Sequence, residues 1–207
     1  MKIFEIIANT VVILSLFYVS FVLTLADWLA GLRKGLAVPL LPERNGRKYP
    51  FWAQIGMVVI GLGIFAAMVW LLWIPLLYLP YQTLQILDVP GLIIYAAGSI
   101  FMLWARRSLG KMWGISTSQQ VKLYEDHQIV QGGPYAFVRN PMYFGWIVAM
   151  FGLILLYPVW VVLLMFLFSL FSFIGRARRE DTALAGRFGE VWTEYKKRTK
   201  FLVPFIF

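Results

Sequence analysis

The sequence predicts an all-α integral membrane protein with about five transmembrane helices. Of its 207 residues 60% are hydrophobic and only 14% are charged, which is far from the composition of a soluble domain. The apolar residues form long runs, each long enough to cross about 30 Å of hydrocarbon as a helix. The Lys and Arg residues collect in the polar segments between these runs. These three observations predict the fold class.

The apolar runs define five expected helices within one membrane domain, 1–207. Their predicted ranges are about 3–32, 51–80, 88–105, 141–157 and 158–175. The first run is too long for a signal-peptide core and no A-x-A site follows it, so we interpret it as a membrane helix. The last apolar stretch is too long for one span, and Tyr157-Pro158 divides it into a hairpin of two short helices.

The positive charges predict the orientation. Segments 33–50, 106–140 and 176–207 hold five, five and eight of the 19 Lys and Arg residues. Five crossings place all three segments on one face, and the face rich in Lys and Arg is the cytoplasmic one. We therefore expect the N-terminus outside, the C-terminus in the cytoplasm, and the lipid bilayer as a partner.

The composition also excludes several classes of function. The chain has no Cys, which excludes disulfides, thiolate metal sites and a cysteine nucleophile. With His127 as the single histidine, we expect no metal site. The net charge of +9 is explained by topology and by contact with anionic lipid, so we expect no nucleic-acid partner.

The tail 176–207 predicts a C-terminal amphipathic helix that could lie on the membrane, because its apolar residues recur at helical spacing. The apolar face would hold Leu184, Phe188, Val191, Trp192 and Tyr195. The charged face would hold Arg187, Glu190, Glu194 and Lys197.

The loop 106–140 shares the predicted cytoplasmic face with the tail, so the two segments can build one site. Gly132-Gly-Pro134 predicts a turn whose glycines leave the backbone open to a ligand. Asn140 precedes Pro141 and is a candidate cap of the fourth helix, with Tyr143 on that helix's first turn.

Arg176 and Glu180 are four residues apart and share a face at the cytoplasmic end of the fifth helix. An ionisable pair at that depth is costly unless it is paired or used. Plainer interpretations stay open: Arg139 and Arg176 as topology anchors, and Glu180-Asp181 as a solvated charge cluster. Gly61-Leu-Gly-Ile-Phe-Ala66 matches a dinucleotide-binding fingerprint, but it lies inside an apolar run and indicates helix packing.

Several motifs in one order resemble the isoprenylcysteine carboxyl methyltransferase family, part of a group that includes phospholipid N-methyltransferases. They are His127-x-Ile-Val130, Gly133-Pro-Tyr135, Val138-Arg-Asn-Pro-Met-Tyr143 and Arg176…Glu180-Asp181, flanked by Ser108-Leu-Gly110…Trp113 and by Phe188-Gly-Glu…Tyr195…Val203-Pro204. The resemblance covers the chain from about residue 100 to the end.

The resemblance implies an integral membrane methyltransferase that uses S-adenosylmethionine, releases S-adenosylhomocysteine and has its active site at the cytoplasmic face. It implies a cofactor pocket formed by the loop and the ends of the last two helices. The implied cofactor-binding residues are His127, Ile129, Val130, Gly133, Tyr135, Arg139, Asn140, Tyr143 and Glu180. Arg176 and Glu180 are the implied catalytic residues, with Arg176 orienting an anionic acceptor. Asn140 departs from the family, which usually has histidine there, and asparagine cannot titrate near neutrality.

The expected acceptor is lipophilic and reaches the site through the bilayer, and a carboxyl group as in isoprenylcysteine methylation is the first expectation. A carboxylate needs no base, whereas an amine or a thiol must lose a proton. A phospholipid amine or a small thiol is the alternative acceptor. A non-catalytic transporter or scaffold is the alternative from another class, although transporters more often carry midplane ionisable residues or internal repeats.

Overall fold

The computed structural model describes residues 2–23, 50–112 and 128–204. Within these ranges the regular structure is helical, apart from isolated bridges between Pro75 and Val159 and between Val138 and Lys200. The helices are α1 (Lys2–Phe17, extended by the π-helical turn Tyr18–Leu23), α2 (Phe51–Leu71), α3 (Tyr81–Leu109), α4 (Pro141–Leu156), α5 (Trp160–Phe188) and α6 (Glu190–Arg198). The predicted all-α class is confirmed for the described residues.

The chain divides into two compact units, Met1–Phe65 and Ala66–Phe207. The first unit contains α1 and most of α2. The second unit contains the later helices and every described residue of the expected site. The expectation of one membrane domain stays a prediction.

Two of the described helices, α3 and α5, are long and apolar enough to cross a membrane. Shorter apolar helices occur at Phe4–Phe17, Ile55–Leu71 and Pro141–Leu156. Large apolar side chains are exposed along these helices, including Phe168 at 75% and Ile64 at 66%. Exposed apolar surface of this extent is typical of a protein that meets lipid. The number of spans and their orientation stay a prediction.

Helix α2 ends at Leu71, several residues before the predicted end near residue 80. An extended segment follows because Pro75 cannot continue the helix. Its backbone pairs with the connection between α4 and α5: Leu76 N donates to Pro158 O at 2.8 Å, and Trp160 N donates to Ile74 O at 2.9 Å. Proline thus ends the helix, and the backbone groups that follow the helix find partners in the connection between α4 and α5.

Helices α3 and α5 are both longer than predicted. Helix α3 includes Pro90 and ends at Leu109, while the prediction ended at residue 105. Helix α5 continues beyond residue 175 to Phe188, so its polar end carries the acidic pair out of the apolar region. An apolar run marks only the buried or lipid-facing part of a helix, and polar turns extend it unseen.

The predicted amphipathic tail helix is wrong as one continuous element. Gly189, with φ of 52°, separates the end of α5 from α6. Trp192 and Tyr195 are 3% and 2% exposed, so the aromatic face of α6 packs on the protein. Val191 points elsewhere and is 57% exposed. A positive φ is inexpensive only for glycine, which is why the chain turns at this position.

Glycines bring the backbones of α3 and α4 into direct contact. A Cβ added at Gly98 would lie 2.6 Å from Gly145 O, and one added at Gly145 would lie 2.7 Å from Met102 N. Gly91 and Gly152 make similar close approaches to the opposite helix. Small residues at such positions let helix backbones approach closely, the usual packing mode in membranes.

Candidate functional site

A cluster of three side chains joins the start of α4 to the polar end of α5, and we call it the polar cluster: Tyr143, Arg176 and Glu180. The Tyr143 hydroxyl donates to Glu180 Oε1 at 2.9 Å. Arg176 Nε lies 3.3 Å from the same oxygen. The Arg176 and Glu180 side chains are 29% and 23% exposed, so they stay accessible to a ligand. Arg176 and Glu180, four residues apart, thus pair as their spacing predicts, and Glu180 also binds Tyr143.

Aromatic rings line the α4–α5 contact next to the polar cluster. Phe173 stacks on Tyr143 with ring centroids 4.9 Å apart and an interplanar angle of 15°. Trp146, one turn further along α4, meets Phe173 edge to face at 6.2 Å. Its indole N–H is buried and has no hydrogen-bond partner among the described residues. An unpaired buried donor is costly, so this N–H marks a place where a polar ligand atom would be favoured.

Tyr135 brings the loop to the same place. It lies in the 3-10 segment Gly133–Ala136 and is 7% exposed. Burial raises the pKa of its hydroxyl, and the negative charge of Glu180 raises it further. Its backbone oxygen accepts a 2.7 Å hydrogen bond from the Tyr195 hydroxyl. Burial also raises the pKa of Tyr195, so both phenols stay protonated and act only through hydrogen bonds.

Arg139 cross-links the loop to α5 and to the tail, so it does more than mark the end of a membrane helix. Its Nε and Nη2 atoms lie 3.4 Å from the two carboxylate oxygens of Asp181, and its side chain is only 9% exposed. Nη1 donates to Thr199 O at 2.8 Å. The guanidinium also lies over the Phe201 ring, 5.7 Å from its centroid. One planar cation therefore holds the loop, α5 and the tail together.

Asn140 reaches the tail as well. It is 8% exposed, and its Nδ2 donates to Phe201 O at 2.9 Å. Asn140 holds the predicted N-cap position of α4 and its backbone oxygen accepts from Phe144 N, but its side chain makes no cap hydrogen bond. The adjacent backbone pairs with the tail, since Arg139 N donates to Lys200 O at 2.9 Å and Lys200 N to Phe137 O at 3.1 Å. The amide thus completes a short two-stranded contact between loop and tail.

Gly133 sits at the turn where the loop enters the site. Its φ is 61°, and an added Cβ would lie 2.7 Å from Ser108 Oγ, so a larger residue would be strained twice. The two apolar residues before it, Ile129 and Val130, are half-buried. His127 lies outside the described residues. The loop is therefore fixed in its second half, where Pro134 is fully buried.

The structure gathers some of the predicted residues and separates others. Tyr143 and Arg176 contact Glu180, and Tyr135 lies close enough to interact electrostatically with Glu180 and Tyr143. Arg139 and Asn140 instead face Asp181 and the tail. Their roles in binding a cofactor stay predictions, as do those of the loop residues.

Sequence reasoning named Asp181 and Tyr195 as parts of the family motifs but gave them no role in the site, and it missed Phe201. Consecutive helix residues point in different directions, so Glu180 and Asp181 serve two partners. The acidic pair was the signal for Asp181. No signal in the sequence pointed to Phe201, because it accepts from Asn140 through its backbone oxygen, which every residue has.

A family model described as phospholipid methyltransferase matches residues 87–191, just over half of the chain. Protein-S-isoprenylcysteine O-methyltransferase of Schizosaccharomyces pombe is 33% identical over 86 residues, which cover 41% of this chain and 36% of that protein. A solved eukaryotic intramembrane Ras methyltransferase, an isoprenylcysteine carboxyl methyltransferase, has 20% identity and a TM-score of 0.50. That structural match covers 76% of this chain and 55% of the other, and it shows a shared fold. The chain spans about a third to a half of the relatives it matches.

Proposed function

The chain belongs to the phospholipid methyltransferase family, as the resemblance in its sequence predicted, and we propose that it is an integral membrane S-adenosylmethionine-dependent methyltransferase with a lipophilic acceptor. The observation that carries this proposal is the polar cluster at the end of α5, where Tyr143 and Arg176 converge on Glu180 Oε1. The Glu180 carboxylate and the Arg176 guanidinium are accessible and lie at the end of apolar helices. This position would let a polar cofactor bind next to a lipophilic acceptor.

The proposed topology has five spans, with the N-terminus outside and the site facing the cytoplasm. Segments 33–50, 106–140 and 176–207 hold eighteen of the 19 Lys and Arg residues, which supports placing them on one side. The polar cluster belongs to that side, because Arg176 opens the basic tail. A cytoplasmic site gives a soluble cofactor direct access.

The donor set of the polar cluster fits the amino-acid end of S-adenosylmethionine. Glu180 can accept hydrogen bonds from an ammonium group, and Arg176 can pair with a carboxylate. Ile129 and Val130 offer half-buried apolar surface for the nucleoside end. Gly133 leaves the turn without a side chain, where a Cβ would press on Ser108. His127 and Tyr143 complete the proposed pocket, and Arg139 and Asn140 contribute by holding the tail beside it. When bound, the cofactor supplies an electrophilic methyl group on a sulfonium.

The protein's own contribution is alignment and exclusion of water. Methyl transfer is an in-line displacement, so the reacting atoms must be held in line and in a dry site. Phe173 and Trp146 form an apolar surface beside Tyr143. The unpaired indole N–H of Trp146 can donate a hydrogen bond to an oxygen of the methyl acceptor. Arg176 would orient an anionic acceptor.

A carboxyl acceptor, as in isoprenylcysteine methylation, agrees best with this donor set. A carboxylate is ionised at neutral pH and needs no base. The raised pKa of the Tyr135 hydroxyl keeps it protonated at neutral pH, so it is not available as a base. A phospholipid amine is the second candidate acceptor, favoured by the family model that matches residues 87–191. An amine must lose its proton, and His127 is the histidine available for that step.

A methyl-transfer assay with the full chain in liposomes tests the proposal. Methyl-labelled S-adenosylmethionine is supplied with a farnesylated cysteine analogue, with phosphatidylethanolamine or with a small thiol. We expect label in a product that alkali hydrolyses, since carboxyl methyl esters are labile and methylamines are not. Glu180→Gln should abolish the transfer, while Glu194→Gln, an exposed carboxylate paired with Lys197, should retain it.

The outcomes separate the alternatives. Alkali-stable label in the phospholipid would replace the carboxyl acceptor by the amine. No label with any acceptor, in protein shown to be folded, would leave the transporter or scaffold class.

A further inference from the structure

An open cleft of about 390 Å³ lies where α5, α6 and the tail meet, and we call it the basic cleft. Its lining residues are Arg178, Asp181, Thr182, Lys196 and Phe201. The Asp181 carboxylate is matched by Arg139 at 3.4 Å and by Lys196 at 3.9 Å. The Arg178 guanidinium has no ion pair within the described part of the chain. The cleft is therefore positively charged and rich in donors.

The basic cleft is separate from the polar cluster. Arg178 and Thr182 are four residues apart and share one face of α5. Glu180, which binds Tyr143, lies two residues from each of them and so points to the other side of the helix. A ligand in the cleft would not reach the proposed methyl-transfer site along this helix.

An apolar stripe on α5 leads up to the cleft. Leu164, Phe168 and Phe171 are 42%, 75% and 73% exposed. They recur every three or four residues, and the same spacing continues through Gly175 to Arg178. The apolar run ends at Ile174, so Arg178 lies about 6 Å further along the axis at the helical rise per residue. That depth is the level of lipid headgroups.

We propose that the basic cleft binds the phosphate of an anionic phospholipid, with an acyl chain lying along the stripe of Leu164, Phe168 and Phe171. Arg178 presents a fork of N–H donors that matches phosphate oxygens, and Lys196 and Thr182 add an ammonium and a hydroxyl. Charge and apolar surface thus follow one another along α5 in the order that a phospholipid requires.

The bound lipid would also reinforce the cross-link between loop and tail. Lys196 faces Asp181, and Asp181 is the partner of Arg139. A ligand that binds only the folded arrangement stabilises it by mass action. This inference does not rest on methyl transfer and holds for any activity of the polar cluster.

Native mass spectrometry of the detergent-purified full chain, titrated with dioleoylphosphatidylglycerol, tests the site. Arg178→Gln combined with Lys196→Gln should weaken binding by about thirtyfold, because each cation near a headgroup contributes substantially. Arg187→Gln combined with Lys197→Gln removes the same charge outside the cleft and should change it less than about twofold. Phe168→Ala with Phe171→Ala should weaken binding of the lipid and leave binding of inorganic phosphate unchanged.

Three results would overturn the proposal. Equal losses in the two charge-matched variants would mean diffuse attraction without a site. Inorganic phosphate binding as tightly as the lipid would assign the cleft to a soluble anion. Unchanged lipid binding in the Arg178 and Lys196 variant would place the lipid elsewhere.

Thermal unfolding of each variant checks folding, and Arg178→Gln alone removes an exposed side chain without disturbing the Asp181 pair. S-adenosylmethionine binding, measured in parallel, reports on the polar cluster independently.

Discussion

Helix α4 meets its two neighbours in different ways. On the α3 side, glycines at positions 98 and 145 bring the two backbones so close that an added Cβ would overlap the opposite main chain. On the α5 side, contact runs through the rings of Tyr143, Trp146 and Phe173 and through the Tyr143–Glu180 hydrogen bond. Backbone packing leaves no room for a ligand, whereas side chains can rearrange around one. The α3–α4 pair is therefore the scaffold, and the α4–α5 contact holds the proposed site.

The largest effect should come from the scaffold. Gly98→Ala places a Cβ against Ala149 N and Gly145 O, so the two helices must separate. We expect a loss of about 3 kcal/mol or more in the free energy of unfolding. Gly63→Ala is the matched control, since a Cβ there meets nothing within 4 Å, and it should be neutral or stabilising by up to about 1 kcal/mol. Reversible unfolding in mixed detergent micelles measures both, and similar values for the two variants would contradict the scaffold assignment.

Next in size is the Arg139 cross-link. Arg139→Met keeps the length of the side chain but leaves the Asp181 carboxylate, 13% exposed, with Lys196 at 3.9 Å as its remaining ion pair among the described residues. We expect a loss of about 3 kcal/mol, because a largely buried carboxylate loses its principal partner. Proteolysis of the tail should accelerate in parallel. A variant as stable as the native chain, with an equally protected tail, would show that the cross-link does not hold the tail.

A smaller loss is expected at Asn140. Asn140→Asp keeps the shape and removes the donor to Phe201 O, so that two oxygens face each other. The expected cost is about 2 kcal/mol in unfolding free energy. Gln131→Glu makes the same amide-to-carboxylate exchange at an exposed position, where the side-chain oxygen accepts from Arg198 Nη2; the contact is kept, so this variant should lose no stability. If the two variants lose equally, the Asn140 amide makes no special contribution.

The smallest effect on stability should occur at Trp146 on the site side. Trp146→Phe removes an N–H that has no partner among the described residues and part of a half-buried ring that packs on Phe173, so the free energy of unfolding should fall by about 1 kcal/mol. The KM for a lipophilic carboxyl acceptor should rise about fivefold, the value of one neutral hydrogen bond. An unchanged KM would remove Trp146 from the acceptor path. A large loss of stability would mean that the indole packs structurally.

Local rules in the sequence were enough for the parts that depend on neighbours along the chain. Pro141 opens α4 where it was expected, and Arg176 and Glu180 meet because they are four residues apart. The resemblance assigned Tyr143 and Glu180 to one cofactor pocket but did not predict the hydrogen bond between them. These features need only helical geometry and a known order of motifs.

The remaining features depend on contacts between distant segments. Whether Arg139 faces Glu180 or Asp181 is decided by the rotation of α5 about its axis, which no local pattern encodes. The tail returns to pair with Val138 through backbone groups that every residue possesses. Gly189 was a visible breaker, but the apolar spacing of Leu184 and Trp192 across it suggested a continuous helix.

The central claim is that the polar cluster binds S-adenosylmethionine, and equilibrium binding to the purified full chain tests it most directly. Native protein, Glu180→Gln and Glu194→Gln are titrated with S-adenosylmethionine and S-adenosylhomocysteine. Both ligands should bind the native chain and Glu194→Gln alike, while Glu180→Gln should lose about 2 kcal/mol, or roughly thirtyfold in Kd, as one charged hydrogen bond is weakened. Equal affinity in all three proteins, or no binding by folded native protein, would contradict the claim.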